Sequence, residues 1–551
     1  MKNSYNIATS LTQQARLHPQ QKAVLEPLSR GSDGQMRYRH LSYAELDHLS
    51  EQMAQALLRR GLCRGMRVAL MVPPSLDFFA LTFAIFKTGA VPVFIDPGLG
   101  LKRMKRCLAE AAPEAFIGIP KAHLARLLFA WGRKTVRLTI SVGSLSMGQV
   151  RLGTLMKRVE GLKALPQPMT LPDDPAAILF TSGSTGAPKG ALYSHANFQA
   201  QIEALRELYQ IQPGEIDLCT FPLFALFAPA LGMTAIIPKM NFTKPGSVNP
   251  DDIFEPIEQF AVSNMFGSPA LMRRVGEATQ SRDKQLPSIK RVVSAGAPVP
   301  ADVIATFCQS LNQDAKFYTP YGATEALPVA SIEGQEILED TYQKTKIGRG
   351  VCVGRPAPGS EVRIIRITDE RIRDWSDELL LPTGEIGEII VKGQQVTRSY
   401  FNRDEATQLA KIYDGQEIYH RMGDLGYFDE RGRLWFCGRK AHRVQTINGN
   451  LYTIPCEAVF NTHHDVFRTA LVGIGLTGQQ KPVICIEVKK AKLGQQEQAR
   501  IILQLREHGS KFAHTKSIET FLFHPQFPVD IRHNSKIFRE KLAIWAEESL
   551  R

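Results

Sequence analysis

One stretch constrains this chain more than any other: ILFTSGSTGAPKG at residues 178–190. An apolar strand runs directly into hydroxyls and glycines, and then into a lysine. Glycines such as Gly183 and Gly186 let the backbone approach a ligand and turn its N–H groups toward phosphate oxygens. Thr181, Ser182, Ser184 and Thr185 add hydroxyl donors, and Lys189 adds a mobile positive charge. By chemistry this is a phosphate-binding loop at the end of a sheet strand. It is not the G-x-x-x-x-G-K-[ST] form, because Lys189 is followed by Gly190. A plain flexible turn would leave the strand before it unexplained.

Around the loop, short apolar strands alternate with helices. Residues 41–61 carry Leu46, Leu49, Met53, Leu57 and Leu58 at helical spacing. VALMV at 68–72 reads as a strand, 78–88 as a helix and VPVFI at 91–95 as a strand again. The alternation continues through 177–180, 291–294 and 316–318, which predicts an α/β domain of parallel sheets flanked by helices. Beyond about residue 360 the texture changes. EVRIIRI, GEIGEIIVKG and GRLWFCG are short, β-branched and punctuated by glycine, as in hairpins or a small barrel. From residue 439, strands (ALVGIG, PVICIEV) and helices (QQEQARIILQLREHG, REKLAIWAEESL) read as a separate small α+β unit. A length of 551 residues also calls for more than one core, since single cores stop growing near ~250–300 residues. The expected division is 1–438 and 439–551.

With 67 Lys and Arg against 54 Asp and Glu, the net charge is +13, which favours anionic partners. No recognised nucleic-acid motif accompanies the charge, so no nucleic-acid partner is expected. Charge is densest at residues 101–137, where nine Lys and Arg face only Glu110 and Glu114. Leu124, Leu127, Leu128, Phe129 and Trp131 are interleaved with it. The ordinary reading is a solvated helix face beside a stripe turned to the core. A helix in peripheral contact with a membrane surface is the other. The eight cysteines are scattered without a C-x-x-C pair, which argues for free thiols in a reducing cytosol rather than a zinc site or disulfides. Residues 219–238 carry no charge over a length that could span a membrane, but Pro222, Pro229 and Gly232 interrupt them. A buried core segment is expected there, with no transmembrane segment. The opening MKNSYNIATSLTQQA lacks the apolar run of a secretory signal, so a cytoplasmic protein is expected.

TSGSTGAPKG followed by SHAN resembles the adenylate-forming superfamily: acyl-CoA synthetases, peptide-synthetase adenylation domains and luciferases. The likeness spans nearly the whole chain, in order. It includes LSYAEL (41–46), KTGAVPVFIDP (87–97), SAGAP (294–298), YGATE (321–325), GEIGEI (384–389), YHRMGDLGYFDERGRLWFCGRK (419–440) and NSK (534–536). It implies a large N-terminal domain, a small mobile C-terminal domain, ATP and Mg2+ as cofactors, and activation of a carboxylic acid as its acyl-adenylate. By resemblance, the loop from Thr181 to Lys189 holds phosphates, Gly296, Ala297 and Pro298 line the adenine, and Tyr321, Gly322 and Ala323 belong to the nucleotide pocket. Thr324 touches the α-phosphate, and Glu325 with Thr185 holds magnesium, a cation that takes hard oxygen ligands. Asp424 accepts from the ribose hydroxyls, with Arg439 nearby, and Lys536 reaches both the substrate carboxylate and the α-phosphate.

Three positions depart from the family pattern. The pivot about which the small domain turns falls on Ala441, where relatives usually carry Asp or Lys. A lysine common at the next strand is Gln445, and Ala225 in PLFALF stands where many acyl-CoA synthetases have histidine. All three touch the half-reaction in which a thiol attacks; none touches adenylation. NIATSLTQQARLHPQQKAV, YGATEALPVASIEGQEIL, GRGVCVGRP, GRKAHRV and PVDIRHNSKIFREKLA together resemble the β-lactone synthetases of bacterial long-chain olefin biosynthesis. That likeness implies a 2-alkyl-3-hydroxyalkanoic acid as substrate, association with other olefin-pathway enzymes, and a base for the 3-hydroxyl proton, with His195 and His442 as candidates. A long-chain acyl-CoA synthetase and an acyl-adenylate donor to a carrier protein share the adenylation motifs and stay open on the sequence alone.

Overall fold

The computed structural model describes residues 5–146, 149–180, 188–490, 493–529 and 537–551. Helix Leu76–Lys87 (LDFFALTFAIFK) is apolar on every side and is buried along nearly its whole length, as such a helix must be. Ser75 caps it by accepting from the Phe78 amide. Its buried Lys87 donates to the Asp47 carboxylate at 2.8 Å and to the Asp47 carbonyl at 2.9 Å. Asp47 stands on helix Tyr43–Arg59, whose first turn is closed by a reciprocal box between Ser42 and Glu45.

The strand Val91–Ile95 is buried at every position and lies between Arg67–Met71 and Pro175–Phe180, parallel to both. A fully apolar run is what a strand covered on both faces requires. The sheet around it has eight strands, in the order Ser399–Tyr400, Gly190–Ser194, Pro175–Phe180, Val91–Ile95, Arg67–Met71, Ala115–Gly118, Leu138–Ser141 and Val150–Arg151.

A second sheet has 14 strands. Lys316–Ala323, Arg291–Ser294, Asn264–Gly267, Ile216–Cys219 and Thr234–Ile236 form its parallel run, and Lys22–Arg30 with Met36–Ser42 complete one edge. The other half is antiparallel. Ala326–Glu333 pairs with Val351–Pro356, which pairs with Leu434–Arg439, and Glu417–Phe428, Gly387–Lys392 and Glu361–Ile365 follow, with Lys411–Asp414 paired to Glu417–Phe428 off this path. The region expected as hairpins or a small barrel is therefore an open extension of the large sheet. Closure would need the end strands to pair, and Glu361–Ile365 is an edge.

Residues 219–238 fold as the short helices Pro222–Ala225 and Phe227–Leu231 and the strand Thr234–Ile236, largely buried. No helix among the described residues is long and apolar enough to cross a membrane. After Arg439 comes a three-stranded sheet. Val466–Ile474 runs antiparallel to Lys481–Val488, which is parallel to Thr520–Phe523. Helices Thr453–Phe460, Gln495–Ser510 and Arg539–Ser549 accompany it, around a core that includes Phe460, Leu471, Ile484, Ile501 and Leu505.

Candidate active site

The two large sheets and the C-terminal unit meet around a cavity of about 1340 Å³. Lys189 reaches it from the foot of strand Gly190–Ser194, and Gly296, Ala297 and Pro298 from the loop after Arg291–Ser294. Tyr321, Gly322, Ala323, Thr324 and Glu325 come from the end of Lys316–Ala323 and the turn that follows. Gly296 adopts φ +96°, a left-handed conformation open to glycine. At Gly322 a Cβ would lie 2.7 Å from the Ala326 carbonyl oxygen, so the tight YGATE turn admits no side chain there. Ala441, His442, Ile454, Ile537 and Arg539 line the cavity from the C-terminal side.

Asp424 and Arg439 stand opposite each other on paired strands. Asp424 is 2% exposed; its Oδ1 lies 2.9 Å from Arg439 Nη1, and its Oδ2 accepts from Tyr321 Oη at 2.6 Å. Burial pushes its carboxyl above the usual range, with Arg439 and then Tyr321 pulling it back. Oδ1 has an ion-pair neighbour but no hydrogen bond among the described residues, so this buried oxygen suits a hydroxyl donor of the ribose kind.

Glu325 lies at the other end of the polar region. Its Oε1 accepts from Tyr400 Oη at 2.6 Å, and its carbonyl accepts from the Thr397 amide at 2.9 Å. Lys189 Nζ sits 4.9 Å from the centroid of the same Tyr400 ring. Behind them Lys411 is buried and donates to the Thr397 carbonyl. Burial pushes its ammonium down to about 7, against the pull of Glu325. Tyr193 Oη donates to the Thr324 carbonyl and ties this turn to the first sheet. A carboxylate and two cations, Lys189 and Arg439, thus border one polar space. That donor set suits phosphate oxygens and a hard divalent cation held by Glu325.

The remainder of the cavity is apolar. Phe198, Phe221, Phe224, Phe227 and Phe266 form its wall, and the rings of Phe224 and Phe266 stack with centroids 4.4 Å apart. A volume of about 1340 Å³ exceeds the ~300–1,000 Å³ usual for small-ligand pockets. It has room for a nucleotide together with a long apolar chain.

Residues 11–401 match the family described as AMP-binding enzyme. The chain belongs to that family. It is 50% identical over 550 residues to an olefin beta-lactone synthetase of Xanthomonas campestris pv. campestris, covering 98% of each chain. It is 49% identical over 560 residues to an olefin beta-lactone synthetase of Stenotrophomonas maltophilia, covering 100% of this chain and 99% of that one. An amide bond synthetase from Marinactinospora thermotolerans shares the fold at TM-score 0.76 and 23% identity, over 98% of this chain and 99% of that one.

In this AMP-binding enzyme, the residues singled out in the sequence do not all meet. Thr181, Ser182, Gly183, Ser184, Thr185, Gly186 and Lys536 lie outside the described residues. The strands flanking the first six pair at Phe180 and Gly190. His195 is not among the residues lining the cavity. It opens helix His195–Tyr209, is 1% exposed, and accepts from the Ile7 amide at its Nδ1 at 3.2 Å. Burial pushes its imidazole down to about 4, so it serves packing and placement of the N-terminal segment. His442 does line the cavity, and its Nε2 is buried without a hydrogen-bond partner among the described residues.

Three features of the site were not foreseen: Tyr400 on Glu325, Lys411 behind it, and a buried charge network around Glu388. In that network Glu388 accepts from Arg421 Nη2 at 2.6 Å and Nε at 3.2 Å, and from Lys440 Nζ at 3.1 Å. Lys440 directly follows Arg439, so the network fixes the backbone that presents the Asp424 partner.

Proposed function

We propose that this enzyme activates a long-chain 2-alkyl-3-hydroxyalkanoic acid with ATP and closes it to a β-lactone, releasing AMP and pyrophosphate. The observation that carries the reading is half identity, end to end, with enzymes named olefin beta-lactone synthetase. The phenylalanine-walled chamber beside the polar site supports it, because two alkyl branches need apolar volume.

In the first step a carboxylate oxygen of the acid attacks the α-phosphorus of ATP, and pyrophosphate leaves. Asp424 holds the ribose, Arg439 holds Asp424, and Gly296 to Pro298 border the adenine. Lys189 and Lys536 supply positive charge to the phosphates and the reacting carboxylate. Glu325 would hold magnesium, which when bound neutralises charge on the phosphate oxygens. In the second step the substrate's own 3-hydroxyl attacks the activated carbonyl. The bond to AMP breaks, the hydroxyl proton passes to a base, and the four-membered ring closes. Nucleophile and carbonyl share one bound molecule, which supplies the entropic advantage of an intramolecular step against ring strain. Between the steps, residues 439–551 turn on residues 1–438 about Ala441. Association with other enzymes of an olefin pathway belongs to the same reading.

Of the two candidate histidines, His442 is the one at the cavity, and we assign it the proton. Burial first, then Arg539 and Arg439, pushes its imidazole down to about 4, so it is neutral and able to accept at any pH above that. His442→Gln is expected to leave pyrophosphate release within about twofold of the parent and to slow lactone formation by ~10²–10⁴-fold, with acyl-adenylate accumulating. Single-turnover quenching separates the two steps, and an equal loss in both would remove His442 from this role.

Product analysis tests the reaction itself. The purified enzyme with Mg-ATP and a long-chain 2-alkyl-3-hydroxy acid is expected to yield β-lactone, AMP and pyrophosphate without CoA. A simple fatty acid with CoA, run in parallel, is expected to give no acyl-CoA. Acyl-CoA from the second reaction alone would return the enzyme to the acid–thiol ligases.

A further inference from the structure

The densest charge of the chain lies on helices Leu101–Ala111 and Pro120–Leu128 and the segment that follows. The stripe expected to face the core there faces water. Leu124, Leu127 and Leu128, at three- and four-residue spacing on one side of their helix, are 43%, 53% and 71% exposed, and Leu101 is 50% exposed. Phe129 is exposed as well, and only Trp131 of the interleaved apolar residues is buried.

On the same two helices, which pack on one core, and on the segment that follows, Lys102, Lys105, Arg106, Lys121, Arg133 and Lys134 are all exposed. The two acids of the segment are engaged by residues outside it: Glu110 by Arg403 at 2.7 Å and Glu114 by Arg67 at 3.2 Å. None of the nine cations forms an ion pair among the described residues.

We propose that this face seats the enzyme on a bilayer rich in anionic phospholipid. Leucines flanked by unpaired cations match the chemistry of such a surface. The apolar side chains enter the boundary between headgroups and acyl chains, and the cations meet lipid phosphates. A docked protein is less well matched, because lysine is depleted in protein interfaces. The face also adjoins the cavity, since Arg403, the partner of Glu110, lines it. A long-chain acid partitions into bilayers, so an enzyme seated there takes its substrate from the phase that holds it. The seating itself does not depend on the lactone reading and holds for any long-chain acid.

Sedimentation of the full-length enzyme with large vesicles of phosphatidylcholine, with and without one-third phosphatidylglycerol, tests the proposal. Binding to the anionic vesicles is expected to be at least about tenfold tighter than to the neutral ones and to fall steeply as salt is raised. The double variants Leu127→Glu/Leu128→Glu and Lys102→Glu/Arg106→Glu are each expected to lose at least about tenfold of that binding. Both should keep the thermal midpoint and the ATP–pyrophosphate exchange of the parent, which separates loss of seating from loss of fold or of catalysis. Equal binding to both vesicle types, or variants that bind as the parent does, would overturn it. Failure to bind either vesicle, with self-association that the leucine variant abolishes, would assign the face to a protein instead.

Discussion

Asp424→Ala raises the ATP KM for pyrophosphate exchange by about 10²–10⁴-fold and leaves the protein folded. The carboxylate is expected to accept from two ribose hydroxyls, and hydrogen bonds to a charged group contribute roughly 1.5–3 kcal/mol each. At about 1.4 kcal/mol per factor of ten, two of them give the stated range. Folding should survive because burial already disfavours this carboxylate, and Arg439, about one-third exposed at its side chain, can turn toward water. Asp424→Asn should fall between, keeping one acceptor oxygen and losing the charge. A pH signature accompanies it. The Asp424 carboxyl is held above the usual range, so its ionised form is lost first as pH falls, and ATP affinity should weaken on acidification while ordinary carboxylates are still ionised. The Ala variant should lack that weakening. An ATP KM within about threefold of the parent would show that Asp424 does not hold the nucleotide.

The alternation of strand and helix was legible because buried strands such as Val91–Ile95 are short apolar runs, and helices such as Tyr43–Arg59 repeat their apolar residues at helical spacing. Asp424 and Arg439 were singled out by resemblance, and the structure sets them face to face across paired strands. What stayed hidden depends on which distant segments meet. Tyr400 reaches Glu325 because strand Ser399–Tyr400 joins Gly190–Ser194 in the first sheet, a pairing that no local pattern signals. Lys411 looks like any lysine at the start of a strand until burial beside Thr397 is known.

Two expectations failed for definable reasons. Short glycine-punctuated strands signal antiparallel pairing, but whether the ends of the set close depends on register and edges, so a barrel could not be told from an open extension. Helical spacing shows that Leu124, Leu127 and Leu128 share one side, but not whether that side meets the core. His195 marks a third limit. Its place in the SHAN motif puts it beside the phosphate loop in sequence, while the fold turns its ring away to accept from Ile7.

Glu388→Ala destabilises the protein by about 3–5 kcal/mol, the range for breaking a buried ion pair by removing one partner. Glu388 is 1% exposed and Arg421 5%, and the guanidinium also donates to the carbonyls of Thr368 and Glu370. Without the carboxylate, Arg421 loses its countercharge and Lys440 keeps only the more distant Asp369, at 3.9 Å. Those carbonyl bonds prevent Arg421 from simply swinging into water, so the charge stays where it is uncompensated. Glu388→Leu combined with Arg421→Met should recover most of the loss, because apolar replacement of both partners removes the desolvated charge altogether. Urea unfolding reads both variants, and a single-variant change below about 1 kcal/mol would mean that water reaches the pair. The same substitution has a second readout. Lys440 donates to Glu388 at 3.1 Å and adjoins Arg439, so releasing it loosens the partner of Asp424 and should raise the ATP KM about tenfold in the fraction that stays folded. Stability lost without any change in that constant would place the network in the scaffold alone, whereas loss of both ties it to nucleotide binding.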